Sequence, residues 1–170
     1  MGRIGQLAEF SRGQTITKTQ IKDGIVPVVA GGLGPAYYHN QANTKAPVIT
    51  VSGSGANAGF TRLYHVNIFA SDCSFADSET TDYLEYVYCT LAKKKTELRG
   101  IQKGSAQPHV YAKDINALPL VIPNKRVLQQ FCRITAQMYE KKGVLEAQIA
   151  ELTQARDRLL PKLMSGEIEV

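Results

Sequence analysis

The sequence predicts an α+β fold: a mixed, mostly antiparallel twisted sheet with short helices, followed by a long C-terminal coiled-coil helix. Two observations predict it. Short segments rich in β-branched residues and separated by glycine-containing turns occupy residues 1–123, whereas apolar residues recur every three or four positions over residues 124–170. We therefore expect two domains, a head (1–123) and a helical spacer (124–170).

The predicted strands of the head are short. Ile25–Val29 and Pro47–Val51 are rich in β-branched residues and bounded by turn residues, and Phe60–Phe69 alternates apolar and polar positions. Glycine-rich loops over residues 31–35 and 52–59 allow positive φ or a close approach of the backbone to another group. Because such loops commonly carry function, both are candidates for a binding surface.

One helix is predicted over Ser78–Lys95, because Ser78 can cap it, acidic residues follow in its first turn, and lysines end it. Its apolar face carries Leu84, Val87, Tyr88 and Leu91. Residues 113–118 can form one short helical turn. A final strand, Leu118–Pro123, then leads into the long helix.

The long helix carries an apolar seam with steps of three and four residues, as in a coiled coil. At Leu145 the seam slips in phase, and Lys141 and Arg156 occupy positions that a continuous coil would fill with apolar groups. Pro161 is expected to kink or end the helix, so the coil should run from about Asn124 to Leu160. The predicted dimerisation residues are Phe131, Ile134, Met138, Leu145, Ile149, Leu152, Leu159 and Leu163.

A helix of this length cannot bury its own apolar stripe, so it requires a partner. Either the head folds back onto the helix or a second chain supplies an antiparallel mate. We predict the second chain.

Composition narrows the class of protein. The chain has 170 residues with 44% apolar content, enough for a core, and a net charge of +5, which permits a polyanionic partner. No apolar run approaches the roughly 18 residues of a bilayer-spanning helix, and residues 1–10 lack a signal-peptide core, so we expect a cytoplasmic protein without membrane contact. Cys73, Cys89 and Cys132 are widely spaced and show no metal-binding pairing with histidine, which argues against a disulfide framework and a zinc site.

No motif indicates intrinsic catalysis. Gly53–Gly59 follows a predicted strand, as a dinucleotide-binding loop would, but its glycine spacing is wrong and a strand rather than a helix follows. Ser54, His109 and Asp72 are the residue types of a hydrolase triad, yet no nucleophile-elbow sequence supports one. We expect a non-catalytic protein.

Two segments of the head carry side chains suited to nucleic acid. Residues 37–41 lie in a predicted loop and offer rings that stack on bases and amides that pair with base edges. Residues 103–109 form a second predicted loop, which offers a cation, an amide and an imidazole. The alternatives are half-buried tyrosines beside a turn for the first segment and an ordinary surface loop for the second. The candidate DNA-binding residues are Lys18, Tyr37, Tyr38, His39, Asn40, Ser54, Asn57, Arg62, Lys103, Gln107, His109 and Lys113.

Four stretches in a fixed order resemble one family. They are GQLAEFSRGQTITKTQIKDGIVPVVAGG (5–32), APVITVSGSGANAGFTRLY (46–64), GSAQPHVYAKDINALPLVIP (104–123) and LLPKLMSGEI (159–168). Together they resemble the DNA-specificity (S) subunit of type I restriction-modification systems. The resemblance implies that residues 1–123 are a target recognition domain and residues 124–170 a conserved spacer helix.

Family members usually carry two recognition domains and two helices, so this chain resembles a half-subunit. A homodimer formed through the helix would then read an interrupted palindrome. The partners that the resemblance implies are double-stranded DNA, methyltransferase (modification) subunits and, where present, restriction subunits.

The resemblance implies no cofactor in this chain. S-adenosylmethionine would bind to the methyltransferase subunits, and ATP and Mg would serve the restriction subunits. Two alternatives stay open: a coiled-coil adaptor whose head binds protein, and a hydrolase or methyltransferase acting alone.

Overall fold

The structure, a computed structural model, describes residues 1–104 and 107–168. Its strands are β1 (Gly2–Arg3), β2 (Ser11–Arg12), β3 (Val26–Val29), β4 (Pro35–His39), β5 (Val48–Ser52), β6 (Thr61–Tyr64), β7 (Phe69–Ala70), β8 (Cys73–Asp77) and β9 (Pro119–Leu120). Its α-helices are α1 (Leu84–Lys93), α2 (Lys95–Gly100), α3 (Ala112–Ala117) and α4 (Lys125–Met164). Short 3-10 helices lie at Ile4–Gln6, Lys18–Gln20 and Gly55–Asn57.

The described strands form three sheets. One is antiparallel in the order β2-β8-β5-β6, and a second, β4-β3-β7, combines the antiparallel hairpin β3–β4 with a parallel pair, β3–β7. The third pairs β1 with β9 and so joins the two ends of the head. The predicted α+β class with mixed, mostly antiparallel strands and a long C-terminal helix is confirmed.

The two larger sheets share one apolar core. Strand β5 is buried at all of its positions, because β6 and β8 flank it in the sheet and α1 packs against it. Helix α1 contributes Leu84, Val87 and Leu91, three residues of the predicted apolar face. Strands of both sheets and the segment before β7 supply the central cluster of Val29, Val48, Tyr64, Ile68, Ala70 and Cys73.

The prediction of one strand over Phe60–Phe69 was wrong. The chain leaves the first sheet after β6 and enters the second sheet at β7. Polar side chains of the segment before β5 form hydrogen bonds with the backbone at Ile68 and Ala70 and so hold this part of the chain at the second sheet. Thr44 Oγ1 donates to the Ile68 carbonyl at 2.9 Å and Asn43 Oδ1 accepts the Ala70 N–H at 2.7 Å. Alternation of apolar residues therefore indicated extended backbone here without revealing the change of sheet.

The prediction that the helix begins at Ser78 was also wrong. The carboxylate of Asp77 accepts hydrogen bonds from the Lys45 N–H (3.0 Å), the Glu79 N–H (3.2 Å) and the Thr80 hydroxyl (3.0 Å), which fixes residues 78–80 in a turn. The Ser78 hydroxyl donates to the Lys45 carbonyl instead of capping a helix. Helix α1 starts only at Leu84, and α2 follows it directly.

The predicted strand Leu118–Pro123 is shorter than expected, because only Pro119 and Leu120 find a strand partner, in β1. The carbonyl of Val121 accepts the Tyr86 hydroxyl at 2.6 Å instead. The predicted turn over residues 113–118 is present as helix α3.

Helix α4 begins where the sequence predicts the spacer. Asn124 Oδ1 accepts the Val127 N–H at 3.0 Å, an N-terminal cap. Leu128 and Cys132 are buried, and the Phe131 ring lies edge-on to Tyr86 with centroids 5.6 Å apart. The first turns of α4 therefore belong to the head, and the chain divides into compact units at Met1–Ile134 and Thr135–Val170.

The sequence predicted that helix α4 would kink or end at Pro161. The helix instead continues through Pro161 to Met164. A proline removes one backbone donor, and an exposed helix tolerates that loss near its end. The stop is Gly166, whose φ of 73° is the left-handed conformation of a helix C-terminus, while the Glu167 N–H returns to the Lys162 carbonyl at 2.9 Å. None of the helices in the described part of the chain combines the length and apolar character needed to cross a bilayer.

Candidate nucleic-acid interface

Three loops of the head meet at one surface, which we call the loop surface. They follow β3, β5 and α2 and comprise residues 30–34, 53–60 and 101–111, of which residues 105 and 106 lie outside the described part. The Gly55 N–H donates to the Pro108 carbonyl and the Val110 N–H to the Gly53 carbonyl, each at 3.0 Å. Loops distant in sequence are thus tied together by backbone hydrogen bonds.

The first loop joins this surface through Arg62 and Gly31. Arg62 Nη1 donates to the Leu33 carbonyl at 3.1 Å, and its guanidinium lies 5.0 Å from the centre of the Tyr64 ring. A side chain at Gly31 would place its Cβ 3.0 Å from the Ser54 carbonyl oxygen. Gly31 therefore permits the close approach of two loops that the sequence suggested.

The third loop presents a cation beside two rings. The backbones of Lys103 and His109 exchange hydrogen bonds of 2.9 and 2.8 Å, and the His109 ring stacks on Tyr111 at 6.0 Å with 13° between the planes. Lys103 Nζ lies 5.7 Å from the centre of the Tyr111 ring and 2.8 Å from an Asp114 carboxylate oxygen. Such flat rings beside a cation can stack on bases and contact phosphates.

Beside the second and third loops lies a small cavity of about 40 Å³. The Ser54 hydroxyl donates to the Asp72 carboxylate, and the Gly53 N–H donates to the Asp72 carbonyl at 3.2 Å. Besides Gly53 and Asp72, the lining residues include Arg12, Cys73, Ser74, His109 and Tyr111. In a hydrolase triad the imidazole would take the serine proton, whereas here the serine donates to the carboxylate, so the three residues are not arranged for that chemistry.

Burial governs the reactivity of the Cys73 thiol at the cavity and of the Cys132 thiol on α4. It raises the pKa of Cys73 to about 12, and burial likewise raises the pKa of Cys132. Both are protonated at neutral pH and are poor nucleophiles and poor metal ligands. Within residues 1–104 and 107–168, no group of three or more histidine, cysteine or acidic side chains is placed to hold a metal ion.

A second patch with aromatic character lies on β4. Tyr37 and Tyr38 are exposed, and Lys18 Nζ lies 5.6 Å from the centre of the Tyr37 ring. The prediction that these tyrosines lie in a loop was wrong, because β4 pairs with β3 at both Tyr37 and Tyr38.

His39 is not available at the surface. It is only 6% exposed, its ring lies edge-on to Phe69 at 5.5 Å, and its Nδ1 accepts the Lys22 N–H at 3.1 Å. His39 and the exposed Asn40 lie at the end of the β3–β4 hairpin opposite the loop of residues 30–34. His39 therefore does not fit the predicted role of reading base edges.

Comparison with known proteins places the chain in a family. Residues 1–154 match the model of the type I restriction modification DNA specificity domain. The chain belongs to that family. The resemblance read from the four sequence stretches is thereby confirmed.

The specificity domain also resembles individual proteins. A segment of 85 residues is 34% identical to the type I restriction enzyme MjaIX specificity subunit of Methanocaldococcus jannaschii and covers 50% of this chain and 20% of that protein. The S subunit of a type I restriction-modification system from M. genitalium superposes with a TM-score of 0.73 and 21% identity over 96% of this chain and 45% of that one. The HsdS subunit of Thermoanaerobacter tengcongensis gives a TM-score of 0.54 and 16% identity, over 98% and 44%. Both structures show the shared fold, and the chain spans less than half the length of each relative.

The predicted residues fall into groups within the specificity domain. Ser54, Arg62, Lys103 and His109 come together at the loop surface, and the exposed Gln107 lies in the same loop as His109. Asn57 ends a 3-10 helix in the second loop and is half-buried, and Lys113 is exposed on α3. Lys18, Tyr37 and Tyr38 form the separate patch on β4. Contact of any of them with DNA stays a prediction.

Sequence reasoning missed Arg12 and Tyr111 and considered Asp72 only as part of a triad. Arg12 reaches the cavity because β2 pairs with β8, where Arg12 lies opposite Ser74. No local sequence pattern predicts the pairing of β2 with β8. Tyr111 could have been found, because it follows His109 at the spacing that places two side chains on one side of an extended segment.

The predicted dimerisation residues differ in how far they are buried. Phe131 is partly buried against Tyr86 within the head. The other seam residues, Ile134, Met138, Leu145, Ile149, Leu152, Leu159 and Leu163, are exposed by between 39% and 69% in the single chain.

Proposed function

We propose that this chain is the DNA-reading component of a type I restriction-modification system and that its head binds one half of a bipartite duplex site. The match of residues 1–154 to the DNA specificity domain carries the proposal. The loop surface supports it, because cations lie there beside rings and polar side chains. Cations suit phosphates, which position the protein, and rings and polar groups suit bases, which specify the sequence.

The second element of the proposal is a homodimer formed through α4. An exposed apolar seam on a long helix is stabilised when another helix covers it. The first seam residue, Phe131, already packs on the head, so pairing would involve chiefly the seven exposed residues from Ile134 to Leu163. Two-fold pairing presents identical heads in inverted orientation, and the target is then an interrupted palindrome.

The third element concerns the chemistry, which we assign to partners. Modification subunits would bind S-adenosylmethionine and methylate adenine, and restriction subunits, where present, would use ATP and Mg to translocate and cleave DNA. Lys141 and Arg156 are charged at seam positions of α4, and we assign them to docking of the modification subunits rather than to self-pairing.

Duplex binding tests the first element directly. Fluorescence anisotropy with labelled duplexes, for the full chain alone and with its modification subunits, should show that the logarithm of the affinity falls linearly with the logarithm of salt concentration. One duplex should remain preferred at every salt concentration. A chain without salt-dependent duplex affinity in either form would contradict the proposal and favour the adaptor whose head binds protein.

A further inference from the structure

The Asp72 carboxylate lines the small cavity and accepts the Ser54 hydroxyl, and this Ser54–Asp72 pair points to one base. We propose that this pair accepts a hydrogen bond from the exocyclic N4 amino group of a cytosine in the major groove of the half-site. This assignment rests on the proposed function, since it requires that the loop surface meets DNA.

The hydrogen-bonding state of the pair carries the argument. A serine hydroxyl has one proton, and the Ser54 proton is donated to the Asp72 carboxylate. What the pair then presents outward is acceptors only: the remaining lone pairs of the carboxylate and of the Ser54 oxygen. An acceptor-only site selects a donor, and in the major groove the base-edge donors are the amino groups of cytosine and adenine.

Charge indicates that this point faces bases rather than the backbone. Among the described residues, the Asp72 carboxylate takes part in no ion pair, although Arg12 lines the same cavity. A phosphate brought to this position would be repelled by the carboxylate. Arg12 lines the same cavity, and Arg62 and Lys103 lie elsewhere on the loop surface, where they can contact phosphates.

The size of the cavity excludes a flipped base. At about 40 Å³ it has room for a water molecule or a small polar group, far less than a nucleobase requires. The base therefore stays stacked in the duplex and only its amino group enters. Cytosine fits better than adenine, because adenine N7 is an acceptor beside its amino group and calls for an amide, whereas a carboxylate matches cytosine N4.

The test combines an altered protein with an altered base. Selection from a randomised duplex library with the wild-type chain and its modification subunits defines the half-site. The same selection with Asp72→Asn should lose the preference for cytosine at one position of each half-site and keep the others. Asp82→Asn, an exposed carboxylate before α1, is the matched control and should select the wild-type site.

The decisive measurement replaces that cytosine by 2-pyrimidinone, which lacks the amino group. The replacement should weaken wild-type binding by about 5- to 150-fold and should change binding of Asp72→Ala much less, so that the two changes are coupled. Circular dichroism melting of Asp72→Asn, Asp72→Ala and Asp82→Asn verifies that the three variants fold.

The outcomes separate this inference from the proposed function. If the wild-type complex selects no sequence, the proposed function fails. If it selects a site but Asp72→Asn selects the same site, or acts at an adenine, or if the base and protein changes are additive, the proposed function stands and the cytosine assignment is overturned.

Discussion

Arg62 shows how a single charge can be assigned to DNA. Its guanidinium lies over Tyr64 and donates to the Leu33 carbonyl, so its orientation is already fixed in the free chain. We predict that Arg62→Ala weakens binding of all duplexes to a similar degree and lowers the slope of log affinity against log salt by about 1. Salt titrations by anisotropy measure both effects. Lys95→Ala, on α2 outside the loop surface, is the control, and equal effects of the two substitutions would remove Arg62 from the interface.

The buried thiol of Cys73 makes the free energy of unfolding depend on pH. Because burial raises its pKa from 9.0 to about 12, the folded state holds the thiol proton more tightly than the unfolded state. This contribution to stability is complete below pH 9 and is lost as the pH rises toward 12. We predict that Cys73→Ala flattens the alkaline decline in the free energy of unfolding by about 1.4 kcal/mol per pH unit within that window. Urea denaturation from pH 8 to 11 measures it, and parallel curves for the two proteins would contradict the prediction.

At the scale of elements, the seam of α4 is open to direct test. Leu152 and Leu159 are exposed apolar residues one heptad apart. Replacing both by glutamate should convert a dimer to a monomer, since buried carboxylates without partners are costly. The matched control, Ala147→Glu with Gln154→Glu, has the same spacing and charge on another face of the helix. Light scattering reports the mass, and a double-leucine variant that stays dimeric would contradict pairing through this seam.

The elements also show what the sequence can and cannot predict. The strands around Val28 and Ile49 and the apolar face of α1 could be predicted, because composition and spacing are local signals. The start of α1 could not, because Asp77 is engaged by Lys45, a residue far away in sequence. The predicted end of α4 was wrong because it rested on Pro161. The helix is ended by Gly166 instead, whose left-handed conformation lets the following N–H groups bond to a carbonyl of the last turn.

At the scale of the whole molecule, the sequence predicted the family better than the site. Four short stretches in order indicated the specificity subunit, and the family match over residues 1–154 confirms that resemblance. The loop surface was predicted only in pieces, since pairing between β2 and β8 brings Arg12 to Asp72, and contacts between loops bring Ser54 to His109. Such long-range pairings depend on the register of whole strands, which no local pattern encodes.

We propose that two copies of this chain direct methylation to an interrupted palindrome. Sequencing of methylated bases in the host genome, with and without the gene, tests it most directly. We predict that one motif loses adenine methylation when the gene is removed, and that the motif has two inverted, identical halves around a fixed gap. Unchanged methylation would contradict a role of this chain in directing methylation. A lost motif whose halves differ would contradict recognition by two identical copies.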